Sequence, residues 1–144
     1  MPDQASRGYA IDELKPGMSA TYERTVTVAD IEAFAAVSGD HNPVHLDDAY
    51  AKTTRFKGRI AHGMLGASFI STAIASQLPG PGSIYLGQSL SFKAPVRPGD
   101  TVETVITVSD IVADKNRVVL KTQCRVGGTV VIDGEATVLV PPKS

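Results

Sequence analysis

Residues 38–45 read SGDHNPVH and hold the side chains best suited to chemistry: a carboxylate at Asp40 and an imidazole at His45. Between them, Pro43 biases Asn42 away from helical backbone and favours a turn, which could bring both side chains to one side of the loop. A carboxylate and an imidazole aimed at one point can hold a water. One takes a proton from that water while the other delivers one to a substrate. Histidine suits this work because its ordinary pKa lies near neutrality. The same residue types also build ordinary polar turns, so composition alone leaves both readings open. His41 and His45 lie four apart and raise the question of a metal. The intervening proline spoils helical spacing and no cysteine cluster accompanies them, so no metal site is expected.

The elements around this loop can be read from periodicity. SATYERTVT (19–27) reads as a strand, followed by a short helix over 27–39. Thr27 with Asp30 makes a capping-box start, Ile31, Phe34 and Ala35 share a face, and Gly39 supplies the stop. A second short helix is expected from Asp47 through Thr53. HGMLGASFISTAIASQL (62–78) contains no Asp, Glu, Lys or Arg. Met64, Leu65, Phe69, Ile70, Ile74 and Leu78 cover nearly all its faces, the mark of a buried helix. Period two then takes over in 83–96, 100–113, 117–126 and 129–140, joined by RPG, DKN and GG. Connections this short imply antiparallel neighbours. In 117–126, Val118, Leu120, Thr122, Cys124 and Val126 share one face, and Arg117, Lys121, Gln123 and Arg125 the other, as in a half-buried strand.

The expected class is therefore α+β: an antiparallel sheet of about five strands, curved around one long apolar helix that fills its concave face, the hot-dog architecture. Long exposed sheet edges invite pairing, so a homodimer is expected. Residues 1–8 read as a loose tail and 9–144 as a single domain, a size that buries a real core. The chain has 144 residues and a formal net charge of −1, and shows no basic stripe, so nucleic-acid binding is not indicated. One cysteine excludes an intrachain disulfide and suits a reducing compartment. Cys124 itself reads as a small core hydrophobe. The N-terminus has no apolar signal segment and no apolar run reaches a membrane span, so a cytoplasmic protein is expected.

VSGDHNPVHLDDAYA (37–51), TTRFKGRIAHGMLGASFIS (53–71) and LPGPGSIYLGQSLSFKAPVRPGD (78–100) together resemble the MaoC-like, (R)-specific enoyl-CoA hydratase family. The family's Asp, Asn-Pro and His fall at its spacing, as Asp40, Asn42-Pro43 and His45. The likeness is greatest to short single-domain members linked to polyhydroxyalkanoate monomer supply. It runs from about residue 25 onward, with the last strands matching by pattern more than by motif.

The resemblance implies a hot-dog dimer that adds water to a trans-2-enoyl-CoA and gives a (3R)-3-hydroxyacyl-CoA, with no cofactor. Asp40 and His45 would activate the water, and which is base and which acid stays open. The backbone N–H of Gly63, at the start of the apolar helix, would hold the developing thioester oxyanion. Ser71 would position the pair or border the acyl chain, unless its hydroxyl merely bonds a backbone carbonyl. Asn42 would orient the loop. His62 could contact substrate or cap the helix. His41 receives no role. Arg55, Lys57, Arg59, Lys93 and Arg97 supply positive charge near the motifs, each by default a solvated surface group. Other readings are a MaoC-type hydratase or dehydratase on a branched, dicarboxylic or carrier-protein thioester, a hot-dog thioesterase, and a non-catalytic acyl-thioester binding module. The helix carries no charged side chain that would meet a substrate carboxylate, which favours a plain acyl chain.

Overall fold

The computed structural model of the chain describes residues 7–142. Five strands, β1 (Ser19–Thr25), β2 (Ile84–Phe92), β3 (Thr101–Val112), β4 (Arg117–Val126) and β5 (Thr129–Leu139), form one antiparallel sheet in the order β1-β3-β4-β5-β2. Among the described residues, the α-helices that accompany it are α1 (Val28–Ser38), α2 (Pro43–Leu46), α3 (Asp48–Lys52) and α4 (Gly63–Ser76). The long helix α4 packs against β3, β1 and β4, as expected of a hot-dog domain. Of the expected tail, residues 1–6 lie outside the described residues. Gly8 is buried, and the Tyr9 N–H donates to the Pro79 carbonyl at 2.8 Å.

Alternation decides which face of the sheet is wet. In β4, Val118, Leu120, Thr122 and Cys124 are buried while Arg117 and Lys121 are exposed. Val102, Ile106, Val108, Leu120 and Val138 meet Ile70, Ala73 and Ile74 of α4 in one core. Each such aliphatic side chain stabilises the fold by roughly 1.5–3 kcal/mol through burial. Small residues let the helix approach closely: a Cβ on Gly66 would come within 2.8 Å of Ile132 Cδ1. Cys124 is fully buried, and its thiol, pushed up by burial, donates to the Gly66 carbonyl.

Two expectations need correction. The RPG link does not make a hairpin: β2 ends at Phe92, and β2 and β3 lie at different places in the sheet, pairing with β5 and β1. Residues 93–100, with prolines at 95 and 98, form a crossing segment. The Val96 carbonyl in it accepts the Ala61 N–H at 2.7 Å. A link that looks like a turn thus carries the chain past the entrance to α4. Nor is α4 buried all round. Leu65, Phe69, Ile70, Ala73 and Ile74 face the core, but Met64, Ser71, Thr72 and Ala75 form an exposed stripe, with Met64 55% exposed.

Helix α1 begins as its sequence indicates. The Thr27 hydroxyl accepts the Asp30 N–H at 3.1 Å, and the Asp30 carboxylate accepts the Thr27 N–H at 3.0 Å. Arg24 adds an ion pair to the same carboxylate at 2.6 Å. Its hydrogen bond, followed by that from Thr27, holds the Asp30 carboxyl below the usual aspartate range. The stabilisation is therefore present above the ordinary aspartate pKa and lost as pH falls through the depressed value. Asp30→Asn is expected to cost about 1 kcal/mol at neutral pH. The gap to the native chain should close in acid, which urea denaturation at both pH values would measure.

Candidate active site

The loop between α1 and α2 is tied at every step by local bonds. Gly39, at φ +80°, ends α1 in the left-handed region that favours glycine. The Asp40 N–H donates to Ser38 Oγ at 3.1 Å, and the Asn42 N–H donates to Asp40 Oδ1 at 3.1 Å. Asn42 Oδ1 in turn accepts the Val44 N–H at 3.2 Å, capping α2, with Pro43 at its first position. Asn42 thus faces the backbone and shapes the loop.

Helix α2 delivers His45 inward, where it is 8% exposed. The residues before α4 hold it there. His45 Nδ1 lies 2.8 Å from the Ile60 carbonyl, which can only accept, so Nδ1 carries the ring proton and Nε2 keeps the lone pair of the neutral ring. Arg59 Nε donates to the His45 carbonyl at 2.8 Å. The Ile60 N–H donates to the Val44 carbonyl at 3.3 Å.

Asp40, His45 and His62 each offer one ligating atom within 4.8 Å of the others. The His45 and His62 rings stack, 3.9 Å between centroids and 27° between planes. Their in-plane lone pairs therefore lie in two stacked, nearly parallel planes rather than in one plane. His41 stays outside the cluster, with Nδ1 against the Gly39 carbonyl at 3.1 Å.

A cavity of about 500 Å³ opens over this cluster, lined by Asp40, His45, His62, Gly63, Phe92 and Lys93 among others. Gly63 is the first residue of α4, where backbone N–H groups lack intrahelical partners and the helix dipole presents its positive end. The Phe92 ring stands over it: a Cβ at Gly63 would lie 2.8 Å from Phe92 Cδ1. The cavity thus brings together a carboxylate and an imidazole, groups able to transfer protons, with a helix N-terminus able to donate to a developing oxyanion.

Ser71 does not line this cavity; it sits on the exposed stripe of α4. The basic residues divide. Arg55 and Lys93 line the cavity, whereas Arg97 is tied to the Phe56 carbonyl. Arg59 is not the solvated charge its sequence context suggests: its side chain is 11% exposed and bonded to the His45 carbonyl. His62 caps nothing with its side chain and instead reaches the Asp40 carbonyl at 3.0 Å. No local signal marks either role, because both partners are distant in sequence.

A five-stranded sheet around one helix, with an Asp/His pair beside that helix's N-terminus, defines a hot-dog domain of the hydratase type. Residues 12–130 match the MaoC like domain, and the chain belongs to that family. It is 53% identical over 132 residues to the (R)-specific enoyl-CoA hydratase of Rhodospirillum rubrum, covering 92% of each chain. It is 47% identical over 129 residues to the (R)-specific enoyl-CoA hydratase of Aeromonas caviae, covering 89% of this chain and 96% of the relative. Among solved structures it is similar to the unliganded R-hydratase PhaJ1 of Pseudomonas aeruginosa, with a TM-score of 0.91 and 48% identity. That match covers 96% of this chain and 89% of the other.

Proposed function

We propose that the protein is an (R)-specific enoyl-CoA hydratase that converts a trans-2-enoyl-CoA to a (3R)-3-hydroxyacyl-CoA. The observation that carries the reading is one cavity lined by Asp40, His45 and Gly63, in a chain about half identical to relatives named for that reaction. A water donates one hydrogen to the Asp40 carboxylate and the other to His45 Nε2. One of the pair removes a proton as the water oxygen bonds to C3. The π electrons move onto the thioester oxygen, where the Gly63 N–H meets the developing charge. The pair then delivers a proton to C2, the enolate collapses, and one water has been added across the double bond. Asn42 holds the loop in register. Arg55 and Lys93, at the cavity wall, suit the phosphates of coenzyme A.

The protein acts as a homodimer. Edge strand β2 is open on both faces, with Ile84, Tyr85, Leu86 and Phe92 exposed, and the α4 stripe from Met64 to Ser71 and Thr72 is uncovered as well. Pairing through β2 would cover the edge and bring Ser71 against the acyl end of the site. Sedimentation is expected to give twice the 15.1 kDa chain mass. Leu86→Asp should shift the protein to monomer, and a monomeric native protein would overturn this state. Among the described residues no helix is long and apolar enough to cross a membrane. A cytoplasmic role in supplying polyhydroxyalkanoate monomers fits the reading.

The test is crotonyl-CoA. Loss of the conjugated thioester absorbance, with (R)-3-hydroxybutyryl-CoA formed and no free thiol, supports the reading; thiol release would point to a thioesterase. A dicarboxylic substrate is disfavoured because Arg59, the largely covered cation beside the pair, already bonds the His45 carbonyl.

A further inference from the structure

We infer that His62 is a positioning residue for the catalytic pair: its Nε2–H holds the Asp40 backbone while its ring face fixes the plane of His45. The inference rests on reading Asp40 and His45 as the proton-transfer unit. His62 occupies the N-cap of α4, a place that favours Ser, Thr, Asp or Asn, yet it makes no capping bond. The reason for a histidine must lie elsewhere. The residue is 3% exposed, with its ring between Phe34 at 4.9 Å and His45 at 3.9 Å, centroid to centroid. The Asp40 carbonyl can only accept, so Nε2 carries the proton. Nδ1 is then an acceptor, buried and without a hydrogen-bond partner. An unpaired buried acceptor is unfavourable, and a phenyl ring would fill the same slot without that penalty. What the imidazole offers over a phenyl ring is the bond at its other nitrogen, which joins the entrance of α4 to a loop 22 residues earlier.

The consequences meet at the reacting centre. His45 is pinned at Nδ1 by Ile60, which leaves rotation about that bond as its remaining freedom. The stacked face of His62 removes it, so Nε2 is aimed in one direction. The Asp40 backbone is held by the same ring. Gly63, the oxyanion donor, is the next residue in the chain. One side chain therefore sets the spacing among the groups that must act together, where a misplacement of about 1 Å can cost on the order of 10²-fold in rate.

Two variants separate this role from space filling. A glutamine amide nitrogen falls near the Nε2 position and keeps the donor, whereas an asparagine amide falls near Nδ1 and cannot reach Asp40. On crotonyl-CoA, His62→Asn is expected to lose about 10–100-fold in kcat with KM changed less than about threefold, and His62→Gln to stay within about fivefold of native. Hydrogen exchange across residues 38–46 should accelerate in His62→Asn and not in His62→Gln. Equal kcat and equal exchange in the two variants, or losses that simply track Tm, would overturn the inference. Exchange does not depend on the reaction. A native protein that leaves crotonyl-CoA unchanged would count against the hydratase reading, while the exchange comparison still decides whether His62 holds the loop.

Discussion

Asp40→Asn and His45→Gln are each expected to lower turnover of crotonyl-CoA by about 10³-fold or more while leaving the fold intact. In the proposed mechanism the pair serves one water, so removing either partner removes the unit, and the double variant should lose little beyond the worse single. Asp40 is exposed at the cavity, and its carboxylate accepts one backbone N–H that an asparagine oxygen can also accept. Its substitution therefore tests chemistry rather than packing. His45 is more embedded, because Nδ1 also bonds Ile60. A glutamine there gives up that bond, so Tm belongs beside kcat and KM for this variant. Near-native rates in either single variant would sink the assignment of the pair.

The second large effect is expected at Gly63. Proline at the first position of a helix removes an N–H that no intrahelical carbonyl uses, and the helix tolerates it. His62, at φ −59° and ψ 136°, already has the extended backbone required before proline. Gly63→Pro should therefore keep α4 while deleting the N–H proposed to hold the oxyanion, at a cost of about 10²–10³-fold in kcat. Gly63→Ala keeps the N–H. Its Cβ would meet the Phe92 ring at 2.8 Å, but Phe92 is 52% exposed and has room to swing. The alanine variant should lose much less, and placing both changes in a Phe92→Ala background removes the shared steric term. Equal losses in the two variants, in that background, would argue that the cavity needs space at Gly63 and not its N–H.

Much of the fold was legible because the signals were local. Alternation in β4 separated Leu120 and Cys124 from Lys121, and Thr27 with Asp30 marked the start of α1. What was not legible depended on partners far along the chain. RPG looks the same whether it closes a hairpin or carries a crossing segment. Only the pairing of β2 with β5 and of β3 with β1 decides that. The apolar stretch at 62–78 says nothing of which side stays open, because that depends on where the sheet lies. Asp40 and His45 could be singled out because they share one turn. The roles of Arg59 and His62 could not be read, since their bonds to the His45 and Asp40 carbonyls exist only after 59–62 folds back over the loop.

The most direct test of the proton-transfer pair is hydration of crotonyl-CoA in heavy water, with the relative configuration at C2 and C3 read from the isolated product. Asp40 and His45 line one cavity; under the proposed mechanism, in which one water sits between them, the C3 hydroxyl and the C2 deuteron arrive on the same face, with the (3R) alcohol. Deuterium on the opposite face, or scrambled at C2, would contradict a single water activated by this pair.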